Sequence, residues 1–184
     1  MEKFLKIDKK IPDLRSTGSA CILKPMTIHH ATNEYVGWLN DKNINQYLES
    51  RYQNHTIISV KDFIKENIND ENTIFYAIHS IDNLHIGNIK LDINPIHLRG
   101  DIGFIIGNSD YHGKGIATSA ISLLCSYAFK IGLQKVTAGA YENNIGSSRA
   151  LQKCGFIQEG YLSDQVIFNN KRIGTYIYGL RSND

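Results

Sequence analysis

The sequence predicts an α/β protein of the α+β kind, with one mixed, mostly antiparallel sheet, a central parallel strand pair and helices on both faces. Three observations carry this. Strand-like runs at 73–79, 84–93 and 99–106 follow one another through short connections, the pattern of an antiparallel meander. The passage 103–141 then reads strand, glycine loop, long amphipathic helix, strand, which demands a right-handed parallel crossover. The end of the chain, 156–180, reads as closing strands with Asn169-Asn170 as a hairpin turn. At 184 residues and 42% hydrophobic, the chain has material for one sizeable core.

Residues 1–18 read as an N-terminal arm, punctuated by Pro12 and Gly18, with Phe4, Leu5, Ile7, Ile11 and Leu14 available to dock it; 19–184 read as one domain. A short strand at 20–23 ends at Lys24-Pro25, and Thr27 is placed to cap a helix with Ala31, Tyr35, Trp38 and Leu39 on one face. Asn40-Asp41-Lys42-Asn43 breaks it, and a second helical piece at 44–48 leads into Glu49-Ser50-Arg51. Ser59 followed by Asp62 suggests a capping box opening a helix with Val60, Phe63, Ile64 and Ile68 at helical spacing. The helix at 113–131 sets Ile116, Ala117, Ala120, Leu124, Tyr127 and Ile131 on a core face and ends at Gly132. A strand at 136–141 and a helix at 145–153 follow, the helix ending at Gly155 as a left-handed residue. Strands at 156–160, 165–168 and 172–180 complete the sheet.

A net charge of +2 gives no nucleic-acid footprint. The charged N-terminus is unlike a signal peptide, and no apolar run approaches a membrane span. Cys21, Cys125 and Cys154 have no metal-ligand spacing and suit a reducing, cytoplasmic setting. Cys125, mid-helix, and Cys154, at a helix end, read as packing residues. No metal site is expected.

The chemistry concentrates at His112-Gly113-Lys114-Gly115-Ile116-Ala117-Thr118. A loop of small residues at a helix N-terminus leaves backbone N–H groups without internal partners, and the helix dipole adds partial positive charge. Such a site suits phosphate. Two glycines alone fit equally an ordinary strand-to-helix turn. An NTP-binding P-loop needs Ser or Thr after its Gly-Lys, and Gly115 stands there. A dinucleotide fingerprint ends in Gly or Ala where Thr118 stands, and it normally opens its domain; Glu142, at the end of the next strand, keeps that reading as a minor alternative.

Downstream lies Asn144-Ile145-Gly146-Ser147, then Lys153-Cys154-Gly155-Phe156. Together the two stretches resemble the GNAT superfamily of acyl-CoA N-acyltransferases. The family's acyl-CoA loop is Q/R-x-x-G-x-G/A, here with His112 first; its later motif is N-x-x-S followed by K-x-G-F. Two motifs in order are more specific than either, and the looser resemblance spans residues 19–180. It is similar in detail to the branch containing ribosomal-protein N-terminal acetyltransferases and acetyltransferases of small amines and nucleotide-linked amino sugars.

The resemblance implies that the central parallel strands splay and that acetyl-CoA is the co-substrate. Its pantetheine arm would lie along Phe104, Ile105 and Ile106, with an N–H from Ile105 or Ile106 holding the oxyanion. Its pyrophosphate would sit on the N–H groups of Gly113, Lys114, Gly115, Ile116, Ala117 and Thr118. His112 would contact phosphate or face solvent. Asn144 and Ser147 would meet the pantetheine, and Arg149 or Lys153 the nucleotide phosphates. The chemistry is attack of a neutral amine on a thioester in a ternary complex. The family's tyrosine acid is absent, Leu151 standing in its place. In the branch this chain resembles, the Ser of N-x-x-S has a related role, which points to Ser147, with Tyr141 and Tyr111 as other hydroxyls near the motifs. Glu49 is the first choice of base and Asp101 the second.

The acceptor is expected near residues 43–55, 91–99 and the closing hairpin, where Glu49, Asp92 and Asp101 mix with Arg51, His55, His97 and Arg99. A small amine, a nucleotide-linked amino sugar or a protein N-terminal amine all remain open. The alternative class is a non-catalytic acyl-CoA-binding or regulatory module. The closing hairpin is a candidate homodimer edge.

Overall fold

The computed structural model describes Leu5, Asp8 and residues 10–182; Phe4 and Ile7 of the arm lie outside the described residues. Seven strands form one sheet in the order β1-β2-β3-β4-β5-β7-β6. They are β1 (Ile22–Pro25), β2 (Thr73–His79), β3 (His85–Asn94), β4 (Arg99–Ile106), β5 (Lys135–Tyr141), β6 (Ile157–Phe168) and β7 (Lys171–Arg181). The helices are α1 (Asn33–Asn40), α2 (Lys42–Asn45), α3 (Ile57–Asn69), α4 (Ile116–Lys130) and α5 (Ile145–Lys153), with short 3-10 turns at Ile28–His30, Glu49–Tyr52 and Ser109–Tyr111. Every neighbouring strand pair is antiparallel except β4 and β5.

All seven residues of β2 are buried because the strand is covered on both sides. Ile74, Tyr76 and Ile78 face the cluster built on α4, with Ile121, Leu124 and Ala128; Phe75 and Ala77 face Tyr35, Leu39, Val60 and Ile64 of α1 and α3. Leu14 bridges to Leu23, Tyr76 Oη donates to Pro12 O at 3.0 Å, and Leu5, Ile11 and Leu14 pack against the larger cluster.

Several boundaries differ from the sequence reading. Pro25 continues β1, opposite Tyr76, because β1 is an edge strand and needs no donor there. Thr27 caps only the 3-10 turn; α1 starts at Asn33, where the Thr32 hydroxyl accepts from Tyr35 N–H. The short helix lies at Lys42–Asn45, earlier than 44–48, because the Asp41 side chain accepts from Asn43 N–H. In α3 the capping box is Thr56 with Ser59, so Ser59 is its third residue and not its cap. The runs 156–160 and 165–168 are one strand, β6, with irregular register at Gln158/Gly160 and Leu162/Val166. Asn169 and Asn170 both have positive φ, as a tight hairpin turn requires.

The feature that positions the site is the brevity of the β4–β5 pairing. It holds only at Arg99–Lys135, Gly100–Val136 and Asp101–Thr137. Beyond Asp101 the two strands part, while β3 stays paired with β4 as far as Ile106 and β7 with β5 as far as Tyr141. The sheet therefore opens between two strands that are each held on their other side.

Candidate acetyl-CoA cleft

A cleft of about 1070 Å³ fills this opening. Its walls include Phe104, Ile105 and Ile106 of β4, Tyr141 of β5, and His112, Gly113, Gly115, Ile116, Ala117 and Thr118 at the head of α4. Asn144, Ser147, Arg149 and Lys153 of α5 close it from the other side, and Glu49 stands at the end where residues 43–49 meet the hairpin.

The direction of the β4 peptide groups follows from their partners. Leu98 O accepts from Gln134 N–H, on the β5 side, and Ile106 O accepts from His112 Nε2–H at 2.8 Å. Gly107 N–H donates to Ile86 O, on the β3 side. Alternation along a strand with unbroken register then turns the N–H groups of Phe104 and Ile106 into the gap and that of Ile105 toward β3. Ile105, expected with Ile106 to offer an oxyanion donor, therefore turns its N–H away from the gap, and the N–H groups that face it are those of Phe104 and Ile106. Its side chain joins the α1/α3 cluster instead.

At the head of α4, Gly113 and Gly115 have φ of 71° and 77°, the left-handed region that favours glycine. The turn they make leaves the N–H groups of residues 113–118 without a backbone partner among the described residues; the first bonded amide is Ser119, to Gly115 O. Lys114 belongs to this run but stands off the cleft wall, its ammonium 5.6 Å from the centre of the Tyr111 ring. His112 spends its Nε2–H on Ile106 O, so the neutral ring has no second N–H for a phosphate.

Asn144 is the N-cap of α5, its Oδ1 accepting from Ser147 N–H at 3.1 Å, which leaves its amide NH₂ for a ligand. The Ser147 hydroxyl makes no hydrogen bond among the described residues. Arg149 and Lys153 have no ion-pair partner among them.

Opposite these, Tyr141 Oη donates to Glu49 Oε1 and accepts from Arg51 at 2.9 Å. Burial and the Glu49 hydrogen bond push the Tyr141 phenol above its ordinary range, so it keeps its proton at neutral pH. The sequence reading placed Tyr141 only among other hydroxyls; its place at the end of a strand just before Asn144 was the available signal. Arg51 is committed to Leu48 O, Tyr141, Tyr52 and Ile167 O, so it straps residues 48–52 to β5 and β6 and is not free for an acceptor's phosphate. Asp101 lines the cleft where β4 and β5 still pair, holding the Thr137 hydroxyl at 2.6 Å, and burial raises its carboxyl. Burial also pushes the Cys125 thiol up to about 12, in keeping with a packing role.

Among the described residues, no helix is long and apolar enough to cross a membrane, and no group of three or more His, Cys, Asp or Glu is placed to hold a metal ion.

Residues 21–157 match the model of the acetyltransferase (GNAT) domain family. The probable N-acetyltransferase YjcK of Bacillus subtilis is 39% identical over 69 residues, which span 37% of this chain and 38% of that protein. The spermidine N(1)-acetyltransferase of Escherichia coli is 27% identical over 135 residues, 72% of this chain and 70% of that protein. Among solved structures, the ribosomal-protein α-N-acetyltransferase RimL in complex with coenzyme A superposes with a TM-score of 0.81 at 15% identity, over 92% of this chain and 98% of that one. The family-model match spans most of the chain, including the loop at residues 112–118 and the Asn144–Phe156 segment, and the fold is shared: the chain belongs to the GNAT family of acetyltransferases.

Proposed function

We propose that the protein is an acetyl-CoA-dependent N-acetyltransferase, with residues 19–184 as one catalytic domain and a primary amine as acceptor. The observation that carries this is the opening between β4 and β5, lined by inward N–H groups and ending on the unpaired amides of residues 113–118. An extended pantetheine arm finds strand-like donors in the gap, and a pyrophosphate finds amides at a helix N-terminus. The NH₂ of Asn144 is a further donor to the arm, and Arg149 and Lys153, without an ion pair among the described residues, are cations available to the nucleotide phosphates.

In this reading the Phe104 or Ile106 N–H donates to the thioester oxygen as negative charge grows there. One such fixed donor is worth about 3 kcal/mol. Glu49 accepts the proton that the attacking amine loses. The carbon–sulfur bond breaks as the amide forms, and the leaving thiolate takes a proton from Tyr141 or Ser147, both of which line the cleft. The Glu49–Tyr141 hydrogen bond joins the proton-taking and proton-giving groups in one chain.

For the acceptor, the E. coli relative acts on spermidine by its name, and RimL on a ribosomal protein's N-terminus. For a nucleotide-linked amino sugar, Arg51 is engaged internally, which leaves Arg99 as the cation for its phosphates. The exposed Ile157, Tyr161, Leu162 and Ile167 on edge strand β6 support a second copy of the chain as a partner. The test is free-thiol release from acetyl-CoA with a panel of primary amines. Amine-dependent thiol with a matching acetylated product is the expected result. Tight CoA binding without thiol from any amine would instead make the protein a binding module.

A further inference from the structure

A second cavity, of about 400 Å³, opens on the opposite face of β3 and β4, beneath α1 and α3. Leu48, Gly103, Phe104 and Ile105 belong to its wall and to that of the acetyl-CoA cleft, so the two spaces adjoin at the strand that faces the thioester. Its volume is in the range that holds small molecules. Its lining is mainly aliphatic and aromatic, from Tyr35, Leu39, Val60, Phe63, Phe75 and Ile105. Ser50, Gln53, His55 and Ser59 are among its polar members.

Two further observations fix the chemistry of an occupant. Among the described residues no Asp or Glu lines the cavity, while Lys90 does, with its ammonium 5.8 Å from the centre of the Phe63 ring. A polyamine needs carboxylates for its remaining charges, and this wall offers none, while Lys90 is itself already held by Asp92 at 3.0 Å. Asn88, only 3% exposed, lines the same cavity. Its Oδ1 accepts from His85 Nε2–H at 2.9 Å, but its Nδ2 has no partner. A buried donor without a partner is costly, and since Nδ2 exposes less than 1 Å², an acceptor oxygen on a ligand would satisfy it once the amide turns toward the cavity.

We propose that this cavity holds the body of the acceptor, and that the acceptor is a small primary amine with an aromatic or branched aliphatic skeleton, one hydrogen-bond-accepting oxygen and no second cationic group. The inference rests on the acetyl-transfer reading and narrows its substrate class away from polyamines. Gly103 supplies the means of testing it. It shares its face of β4 with Ile105 and lines the cavity, and a Cβ built on it meets no atom within 4 Å. A Cβ is therefore accommodated without displacing the backbone, and a leucine there narrows the space; because Gly103 also lines the acetyl-CoA cleft, the acetyl-CoA Kd of this variant is measured as well.

The experiment compares phenylalaninol with spermidine as acceptors, in the wild type, Gly103→Leu and Phe63→Ala. The wild type is expected to favour phenylalaninol in kcat/KM by about tenfold or more. Gly103→Leu is expected to raise its KM by a similar factor. Phe63 touches only the second cavity and is 42% exposed, so Phe63→Ala keeps the fold; it is expected to raise the phenylalaninol KM with the acetyl-CoA Kd unchanged. A preference for spermidine, or an unchanged phenylalaninol KM in both variants, overturns the inference and leaves acetyl transfer standing. If no amine releases thiol, the acetyl-transfer reading fails. Calorimetric binding of phenylalaninol to the CoA-loaded protein then decides the cavity: binding weakened in both Gly103→Leu and Phe63→Ala supports it, and no binding to the wild type, or binding unchanged in Phe63→Ala, overturns it.

Discussion

Replacing His85 by Gln should remove a large part of the acid sensitivity of this fold. Three imidazoles from three separate segments meet under α1. His85 lies 5.1 Å from His30 and 5.6 Å from His79 between ring centres, and Trp38 and Tyr35 cover it at 5.0 and 6.0 Å. Burial, reinforced by the positive charge each neighbouring imidazole would carry, lowers the His85 pKa from 6.5 to about 4, against the opposing hydrogen bond to Asn88. His30 is lowered too, first by burial. Above pH 6.5 both the folded and unfolded chains are neutral at His85, so its stabilising contribution is fully present. As pH falls below 6.5 the unfolded chain takes a proton that the folded chain refuses. Stability then drops by about 1.4 kcal/mol per pH unit until the folded pKa near 4 is reached, about 3 kcal/mol in all. For a chain of this size that corresponds to roughly 6–12 °C in Tm. Gln keeps a donor for Asn88 Oδ1 but does not titrate. The assay is thermal or urea unfolding at pH 7.5, 6.5, 5.5 and 4.5, with the variant's curve subtracted from that of the wild type. The difference should be flat above pH 6.5 and slope below it. Parallel curves across the whole range would refute the burial argument.

Three other substitutions probe the cleft. Gly115→Glu puts a carboxylate, on a strained left-handed backbone, among the amides proposed for the pyrophosphate; acetyl-CoA binding should vanish while the fold melts cooperatively, and retained affinity would mislocate the phosphate site. Glu49→Gln should lower kcat by about 10²-fold or more with little change in acetyl-CoA Kd; an unchanged rate and pH profile would remove Glu49 as the base. Gly87→Ala brings a Cβ to 2.3 Å from Ile105 O, so β4 must shift away from β3. A stability loss of about 1–3 kcal/mol is expected, with kcat falling as the Phe104 and Ile106 donors move; unfolding by urea and steady-state kinetics read the two effects, and wild-type kcat at reduced stability would detach those donors from the chemistry.

Much of this molecule is legible in the chain because its signals are local. The glycine loop and its helix are adjacent in sequence, as are Asn144 and the helix it caps, and β2 and β4 carry their apolar runs without interruption. What the sequence obscures depends on neighbours. Thr27 and Thr32 both look like caps, and only the packing of Tyr35 and Leu39 under α3 selects the second. Pro25 sits in a strand because its missing N–H falls on the outer edge of β1, where the bridge to Leu14 is confined to Leu23. Which of Ile105 and Ile106 turns its N–H to the gap is a matter of parity, set by the Gln134 and Gly107 hydrogen bonds on either side of β4. Arg51 reads as a free surface cation until Tyr141 and Ile167, about a hundred residues away, close around it. The second cavity exists only because α1, α3 and β2–β4 meet without filling the space over Gly103.

The most direct test of the central claim is an amide chemical-shift titration of the isotopically labelled protein with acetyl-CoA. The largest changes are expected at Phe104, Ile106, residues 113–118, Asn144 and Ser147, with Ile105 less affected because its N–H is bonded away from the gap. Changes confined to other parts of the sheet, or none at saturating ligand, would contradict the assignment of the β4–β5 opening as the acetyl-CoA site.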